Sequence, residues 1–211
     1  MGFILYAIGI LLMRDAGLGM SPWGVFHVGV TNHTPLTLGQ VTQFVGLIIL
    51  ILSLSIKVIP GVGSIGNMIF IGVFIDIIDS LNIISTPNTI IGRVIMLAFG
   101  VFISGWATYF YLKVRLGAGP RDGLMEGLVK LTNKPVWLIR GVIELTALTI
   151  GYLLGGPVGI GTLIAATTIG FSVEFAFRVG RYDTENGVHT DLVLLYKSLT
   201  GASLREEVCN K

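Results

Sequence analysis

Long apolar runs with few charges alternate along this chain with short polar stretches rich in glycine and proline. Five runs, at roughly 36–56, 65–83, 92–112, 136–154 and 159–177, reach the ~20 residues a helix needs to cross the ~30 Å hydrocarbon of a bilayer. The breaks between them are Lys57 to Gly63 with Pro60, Ser80 to Asn88 with Pro87, Lys113 to Pro135, and the turn Gly155-Gly156-Pro157. Such clusters stop helices where backbone groups can reach water or protein partners. The start is different. Gly2 to Met13 is apolar, but a helix of that length rises only ~18 Å.

An internal repeat accounts for the short start. A shift of 98 residues carries Gly2 to Gly100, Leu18 to Leu116, Gly19 to Gly117, Pro22 to Pro120 and Gly29 to Gly127, so that LGMSP and LGAGP are one element written twice. Val62–Asn67 (VGSIGN) then answers Val158–Thr162 (VGIGT) with a small gap, Gly72 falls on Gly170 and Asp76 on Glu174. Residues equivalent to 92–98 would precede Met1, so the expectation is a first span lacking its start, through a misplaced start or a shortened chain. Each copy reads as one span, a Gly-Pro turn, a short helix and two further spans. The short helices are expected from Pro22 to about Asn32 and from Pro120 to about Thr132. Proline suits the first helical position, where an N–H would have no partner. Neither helix is long enough to cross alone.

Charge placement orients the scheme through the excess of Lys and Arg on cytoplasmic loops. With non-crossing short helices, Lys57, Lys113, Arg115, Arg121, Lys130, Lys134, Arg178, Arg181 and the tail bases share one side, and only Arg14 and Arg93 take the other. The expected fold is therefore an all-α polytopic membrane helix bundle. It has six spans as two inverted three-span repeats (1–83 and 92–178), each with a short non-spanning helix, and both termini are cytoplasmic. From Gly180 the chain turns polar, and 179–211 reads as a cytoplasmic tail with an amphipathic helix around Leu192 to Ser198.

Composition agrees with a bilayer rather than a soluble core: 53% of the 211 residues are hydrophobic and 12% charged, about half the charge of a soluble domain. A net charge of +2 and the lack of a basic face interleaved with aromatics argue against a nucleic-acid partner. Cys209 is the sole cysteine, which excludes an intrachain disulfide and a cysteine metal cage. The first segment lacks the basic n-region and small-x-small site of a cleavable signal peptide.

The strings LGMSPWGV at 18–25, LGAGPRDGLM at 116–125, GGPVGIGT at 155–162 and FID at 74–76 carry a resemblance to the YczE/YyaS/YitT group of bacterial membrane proteins, over nearly the whole membrane region. The resemblance implies a bacterial plasma-membrane location and brings no substrate with it. The group usually shows Pro-Trp-Asp in its first copy. Gly24 follows Trp23 here, so an acidic role at that place is not carried over.

Charges inside a bilayer cost at least ~2.5 kcal/mol each on insertion scales, so each needs a reason. Arg140 and Glu144 lie four apart on one face of the fifth span and are expected to pair, as a solute site or proton relay or as a structural ion pair. Asp76 and Asp79 share a face near the far end of the third span. Asp79 reads as solvated at the boundary, and Asp76 as a cation or proton site. Glu174 and Arg178 read as a boundary pair. The turns Gly19-Ser21-Pro22 and Gly117-Gly119-Pro120 open helices whose first N–H groups lack intrahelical partners and carry partial positive charge. With Arg121 beside it, the second start is an anion-site candidate, and Asp122 is either part of that site or a helix cap. His27 and His33 share no metal-ligand spacing and read as interfacial, as do Trp23, Trp106 and Trp137. Asn67 and Thr162, at matching places, read as interhelical hydrogen bonders. No phosphate-loop, zincin or nucleophile-elbow string occurs.

These features point to a secondary transporter of a small anionic or zwitterionic solute. Substrate-binding candidates are Arg121, Asp122, Arg140, Glu144, Asp76, Gly19, Ser21, Gly117 and Gly119. The alternative is a non-transporting accessory or regulatory protein that acts on a partner. No enzyme activity, cofactor or metal is expected; the expected partners are the lipid bilayer, a small solute, a proton and a second copy of the chain. A polar cavity reached by both short helices separates the two readings, since a scaffold would have a dry packed centre.

Overall fold

A computed structural model describes residues 1–181 of the chain. The tail with its expected amphipathic helix, His189 and Cys209 lies outside the described residues. Eight α-helices occupy them: α1 (Gly2–Asp15), α2 (Pro22–Thr31), α3 (Leu38–Ser55), α4 (Val62–Ser80), α5 (Ile90–Leu112), α6 (Pro120–Thr132), α7 (Val136–Leu153) and α8 (Ile160–Val179). Five of them, α3, α4, α5, α7 and α8, are long and apolar enough to cross a membrane. With its 14 residues, α1 rises about 21 Å. The protein is thus a polytopic helical membrane protein.

Local chemistry sets the helix starts. Pro22 and Pro120 stand at the first positions of α2 and α6. Ser21 Oγ accepts from the Gly24 amide at 3.3 Å, and Thr89 Oγ1 accepts from Gly92 at 3.1 Å. At α3, Thr37 Oγ1 accepts from the Gln40 amide while Gln40 Oε1 accepts from the Thr37 amide, each at 3.1 Å. That reciprocal pair satisfies two donors that would otherwise be orphaned.

The first residues of α2, α3 and α4 (22, 38, 62) recur 98 residues later as those of α6, α7 and α8 (120, 136, 160). Packing follows the same doubling. The helix α1 runs against α5, with α4 on α1 and α8 on α5. The short helices cross over: α2 packs chiefly on α7, and α6 on α3. A side chain at Gly9 would collide with Ser104 Oγ and the Gly100 carbonyl. Small residues there let α1 and α5 approach closely, the usual means of tight packing in lipid.

The glycine turns are held by the opposite half. The Gly161 amide donates to the Leu18 carbonyl at 2.7 Å, and the Gly63 amide donates to the Leu116 carbonyl at 2.7 Å. Both residues of each bond differ by 98 from their counterparts. Gly19 (φ +104°) and Gly117 (φ +117°) adopt backbone angles that favour glycine. A Cβ on Gly19 would strike Thr162 and Gly159, and one on Gly117 would strike Gly61 and Ser64. Thr162 accordingly matches Ser64: Gly159 N donates to Thr162 Oγ1 at 3.2 Å and Gly61 N to Ser64 Oγ at 3.3 Å. These bonds correct the expected Asn67–Thr162 correspondence: Ser64 pairs with Thr162, and the 98-residue shift runs from Gly61 to Gly72 without a gap.

The halves differ at one seam. α3 packs along α4, where Gly39 and Gly72 allow the backbones to meet and Gln43 covers Gly72, its amide donating to the Ile69 carbonyl at 3.0 Å. The equivalent pair, α7 and α8, scarcely meets. Trp137, in the place of Gly39, is 74% exposed. Gly141, in the place of Gln43, and Gly170, in the place of Gly72, have nothing within 4 Å of where a Cβ would sit. The turn from Leu154 to Gly159 tethers these helices at one end, so they diverge away from it.

Candidate functional site

A cavity of about 530 Å³ lies between the halves. Its wall includes the starts of both short helices (Ser21, Pro22 and Trp23 from α2; Gly119, Pro120, Arg121 and Asp122 from α6) together with Arg140 and Glu144 of α7. Many wall residues come in pairs related by the 98-residue shift: Trp23 and Arg121, His27 and Met125, Thr42 and Arg140, Gly46 and Glu144, Ile71 and Ile169. In these pairs the charges come from the second half, and the first supplies an aromatic, a histidine, a hydroxyl and a glycine.

The Arg121 guanidinium carbon stands 4.4 Å from the centre of the Trp23 ring, within cation–π range. Both residues are second in their short helices, so the two helix starts converge at this contact. Among the described residues no carboxylate lies within 4 Å of the Arg121 nitrogens. Arg140 Nε donates to Glu144 Oε1 at 3.1 Å along one helix face, the spacing the sequence suggests. Tyr111 Oη donates to Asp122 Oδ2 at 3.3 Å.

His27 corrects an expectation. It reads from the sequence as an interfacial residue, yet it is 2% exposed and lines the cavity. Thr42 Oγ1 spends its single proton on the Leu38 carbonyl at 2.8 Å. The 3.2 Å contact between Thr42 Oγ1 and His27 Nδ1 therefore requires Nδ1–H to donate. Nε2 is left as an acceptor with no hydrogen-bond partner among the described residues. Trp23 is a second correction: it sits against Arg121 on the cavity wall rather than at a membrane interface. Trp137 is exposed as an interfacial tryptophan would be, and Trp106 is half-buried against Phe102 and Tyr109.

Of the sequence candidates, Arg121, Asp122, Arg140, Glu144, Ser21 and Gly119 come together on the cavity wall. Gly19 and Gly117 stand behind it, pressed on the starts of α8 and α4. Asp76 is engaged elsewhere, accepting from Thr37 Oγ1 at 2.6 Å and from the Gly39 amide at 2.9 Å, so it ties α4 to the start of α3. Asp79 is not merely solvated. It accepts from Arg14, which also contacts Asp15, at 2.5 and 3.0 Å. Glu174 and Arg178 pair at 3.1 Å with both side chains exposed. Residues that sequence reasoning passed over are Trp23, His27 and Thr42. Applying the shift to Arg121 and Arg140 was the signal that would have found Trp23 and Thr42.

The chain belongs to the family described as a family of unknown function, DUF6198, which matches residues 1–178. It is 37% identical over 177 residues to the uncharacterized membrane protein YczE of Bacillus subtilis, covering 83% of this chain and 81% of that one. An uncharacterized protein of Haemophilus influenzae is 33% identical over 181 residues, covering 83% and 82%. The uncharacterized protein YyaS of Bacillus subtilis is 28% identical over 167 residues, covering 77% and 82%. No solved structure matches the chain.

Proposed function

We propose that this member of the family is a secondary transporter of a small anionic or zwitterionic solute, working in the bacterial plasma membrane and carrying out no covalent chemistry. In this reading α1 completes six crossings, the two halves enter the bilayer in opposite orientation, and both termini are cytoplasmic. Transporters built this way hold their ligand near the midplane, where half-helices end and the repeats meet.

The observation that carries the reading is the convergence of both short helices on one cavity, with Trp23 against Arg121. Two helix starts bring partial positive charge to the same space. Arg121 adds a full charge in ion-pair contact with no described carboxylate, Asp122 and Glu144 acting on it from beyond 4 Å. An anionic group placed there meets planar donors suited to carboxylate or phosphate. The Arg140–Glu144 pair on the same wall supplies both signs, which suits a zwitterion, and Glu144 is the group through which a proton would be exchanged.

Uptake into reconstituted vesicles under a proton gradient tests this, with a panel of labelled anions and zwitterions and with Arg121→Gln, Arg140→Ala and Glu144→Ala beside wild type. Wild type should exceed empty vesicles for at least one solute, and each variant should fall about tenfold or more, the loss that ~1.4 kcal/mol of binding produces. Uptake equal to that of empty vesicles across the panel overturns the reading.

A further inference from the structure

The cavity has a polar end and an apolar side. Its charged groups are Arg121, Asp122 and Glu126 of α6 and Arg140 and Glu144 of α7. The wall that α8 contributes is apolar, with Ala165, Ala166, Ile169, Gly170 and Val173, and Ile143 of α7 lines the same cavity. Those two helices are the pair that fails to close. Among the described residues nothing fills the space beside Gly141 on one and Gly170 on the other, while Gly39, Gln43 and Gly72 shut the equivalent seam between α3 and α4. The difference is written in the sequence. A tryptophan at 137 replaces the glycine at 39 that lets the other pair touch, and a glycine at 141 replaces the covering glutamine at 43.

Both helices are apolar enough to span a membrane, and in the six-crossing arrangement proposed above the open seam between them faces hydrocarbon. A hydrated ion gains no route by such a slot, since crossing acyl chains strips its water. A molecule with one charged head and one apolar chain does gain a route: the head reaches the arginines while the chain stays among lipid tails. We infer that the ligand is a single-chain amphiphile with an anionic head, carboxylate or phosphate, which enters sideways between α7 and α8 and seats its head at Arg121. The inference rests on the cavity being the ligand site, as proposed above, and narrows the solute to a lipid-soluble class. Head and chain are matched by separate observations: Arg121 has no described carboxylate within 4 Å, and nothing described lies within 4 Å of where a Cβ would sit at Gly141 or Gly170.

The test uses the full chain in phosphatidylcholine vesicles and a long-chain carboxylate carrying a photoactivatable diazirine on its tail. Labelled peptides are located by mass spectrometry, and competitors are the unlabelled long-chain acid, a long-chain monoester phosphate, a short-chain carboxylate and inorganic phosphate. Label should concentrate on α7 and α8. Either long-chain competitor should displace it, the two distinguishing a carboxylate from a phosphate head by potency, and the short-chain acid and free phosphate should not. Arg121→Gln and Gly170→Leu should each reduce it about tenfold. Leucine at 170 enters open space, so an unchanged thermal unfolding midpoint separates a blocked seam from a damaged fold; Gly141→Leu repeats the test from the opposite wall. Equal displacement by short-chain acid or phosphate, with wild-type labelling in both glycine variants, overturns the amphiphile while leaving the cavity as a solute site. Label spread over all lipid-facing helices and indifferent to Arg121→Gln overturns the amphiphile too, and the uptake assay then decides the transport reading on its own. A crosslinked dimer with the seam unlabelled overturns the inference in favour of a second copy covering it.

Discussion

Trp23 and Arg121, equivalent residues of the two halves, touch each other, with the guanidinium carbon 4.4 Å from the indole ring centre. A desolvated contact of this kind contributes up to ~2 kcal/mol, and here it also pins two helix starts together. Trp23→Leu should lower the unfolding free energy in detergent by about 1 kcal/mol. Arg121→Lys should cost a similar amount, because an ammonium keeps the charge and loses the planar stack. Thermal unfolding of the purified variants checks both. Equal midpoints for wild type and Trp23→Leu would show that the contact carries no stability.

The two glycine turns should be intolerant of any side chain. Gly19→Ala and Gly117→Ala combine a left-handed backbone penalty of about 1–2 kcal/mol with overpacking of about 1–3 kcal/mol against the opposing helix start. Each should sharply reduce the yield of folded protein. Gly141→Ala, in open space, should be neutral or gain up to about 1 kcal/mol of helix propensity. Folded yield and unfolding midpoint, compared across the three, read this out.

Asp76 distinguishes architecture from chemistry. It accepts from Thr37 Oγ1, which is exposed, and from the buried Gly39 amide, so Asp76→Ala should cost about 1–3 kcal/mol of stability through the orphaned Gly39 donor. Because the side chain is engaged away from the cavity wall, ligand binding by the folded fraction should stay at the wild-type level. Loss of binding at full stability would return Asp76 to the site.

Arg14 and Asp79 pair at 2.5 Å with side chains 25% and 44% exposed. Solvent screening at that exposure holds the coupling to about 1 kcal/mol or less. A double-mutant cycle with Arg14→Gln and Asp79→Asn should return a coupling of that size that shrinks in high salt. A salt-insensitive coupling of several kcal/mol would mean the pair is sealed from water.

Orientation is tested at the tail. If the second terminus is cytoplasmic, Cys209, the only thiol in the chain, should react in intact cells with a membrane-permeant maleimide and resist an impermeant one. Labelling by the impermeant reagent would invert the assigned orientation.

Most of the helix plan was legible because its cues are local. Long apolar runs mark α3, α4, α5, α7 and α8, and Gly-Pro strings mark the starts of α2 and α6 to the residue. The charged half of the cavity wall was legible too, since Arg121, Asp122, Arg140 and Glu144 are conspicuous in apolar surroundings. What stayed hidden depends on contact across the chain. Asp79 meets Arg14 over 65 residues, and no periodicity predicts that. His27 reads as a lone interfacial histidine because its neighbour Thr42 comes from another helix. The open seam was written at Trp137 and Gly141, but only a residue-by-residue overlay of the halves, with the packed α3–α4 pair as reference, makes those substitutions meaningful.

The reciprocal bonds Gly161–Leu18 and Gly63–Leu116 have a consequence for biosynthesis. The carbonyl of Leu18 enters the membrane long before its donor exists, since Gly161 lies 143 residues downstream. At ~5–20 residues per second that interval is roughly 7 to 30 seconds. During it the Leu18 carbonyl lacks the partner it has in the finished fold, and a ribosome stalled in that window would leave an unfinished product for quality-control proteases. The halves are therefore not separable modules: each turn is completed by the other, and α8 finishes the turn that follows α1.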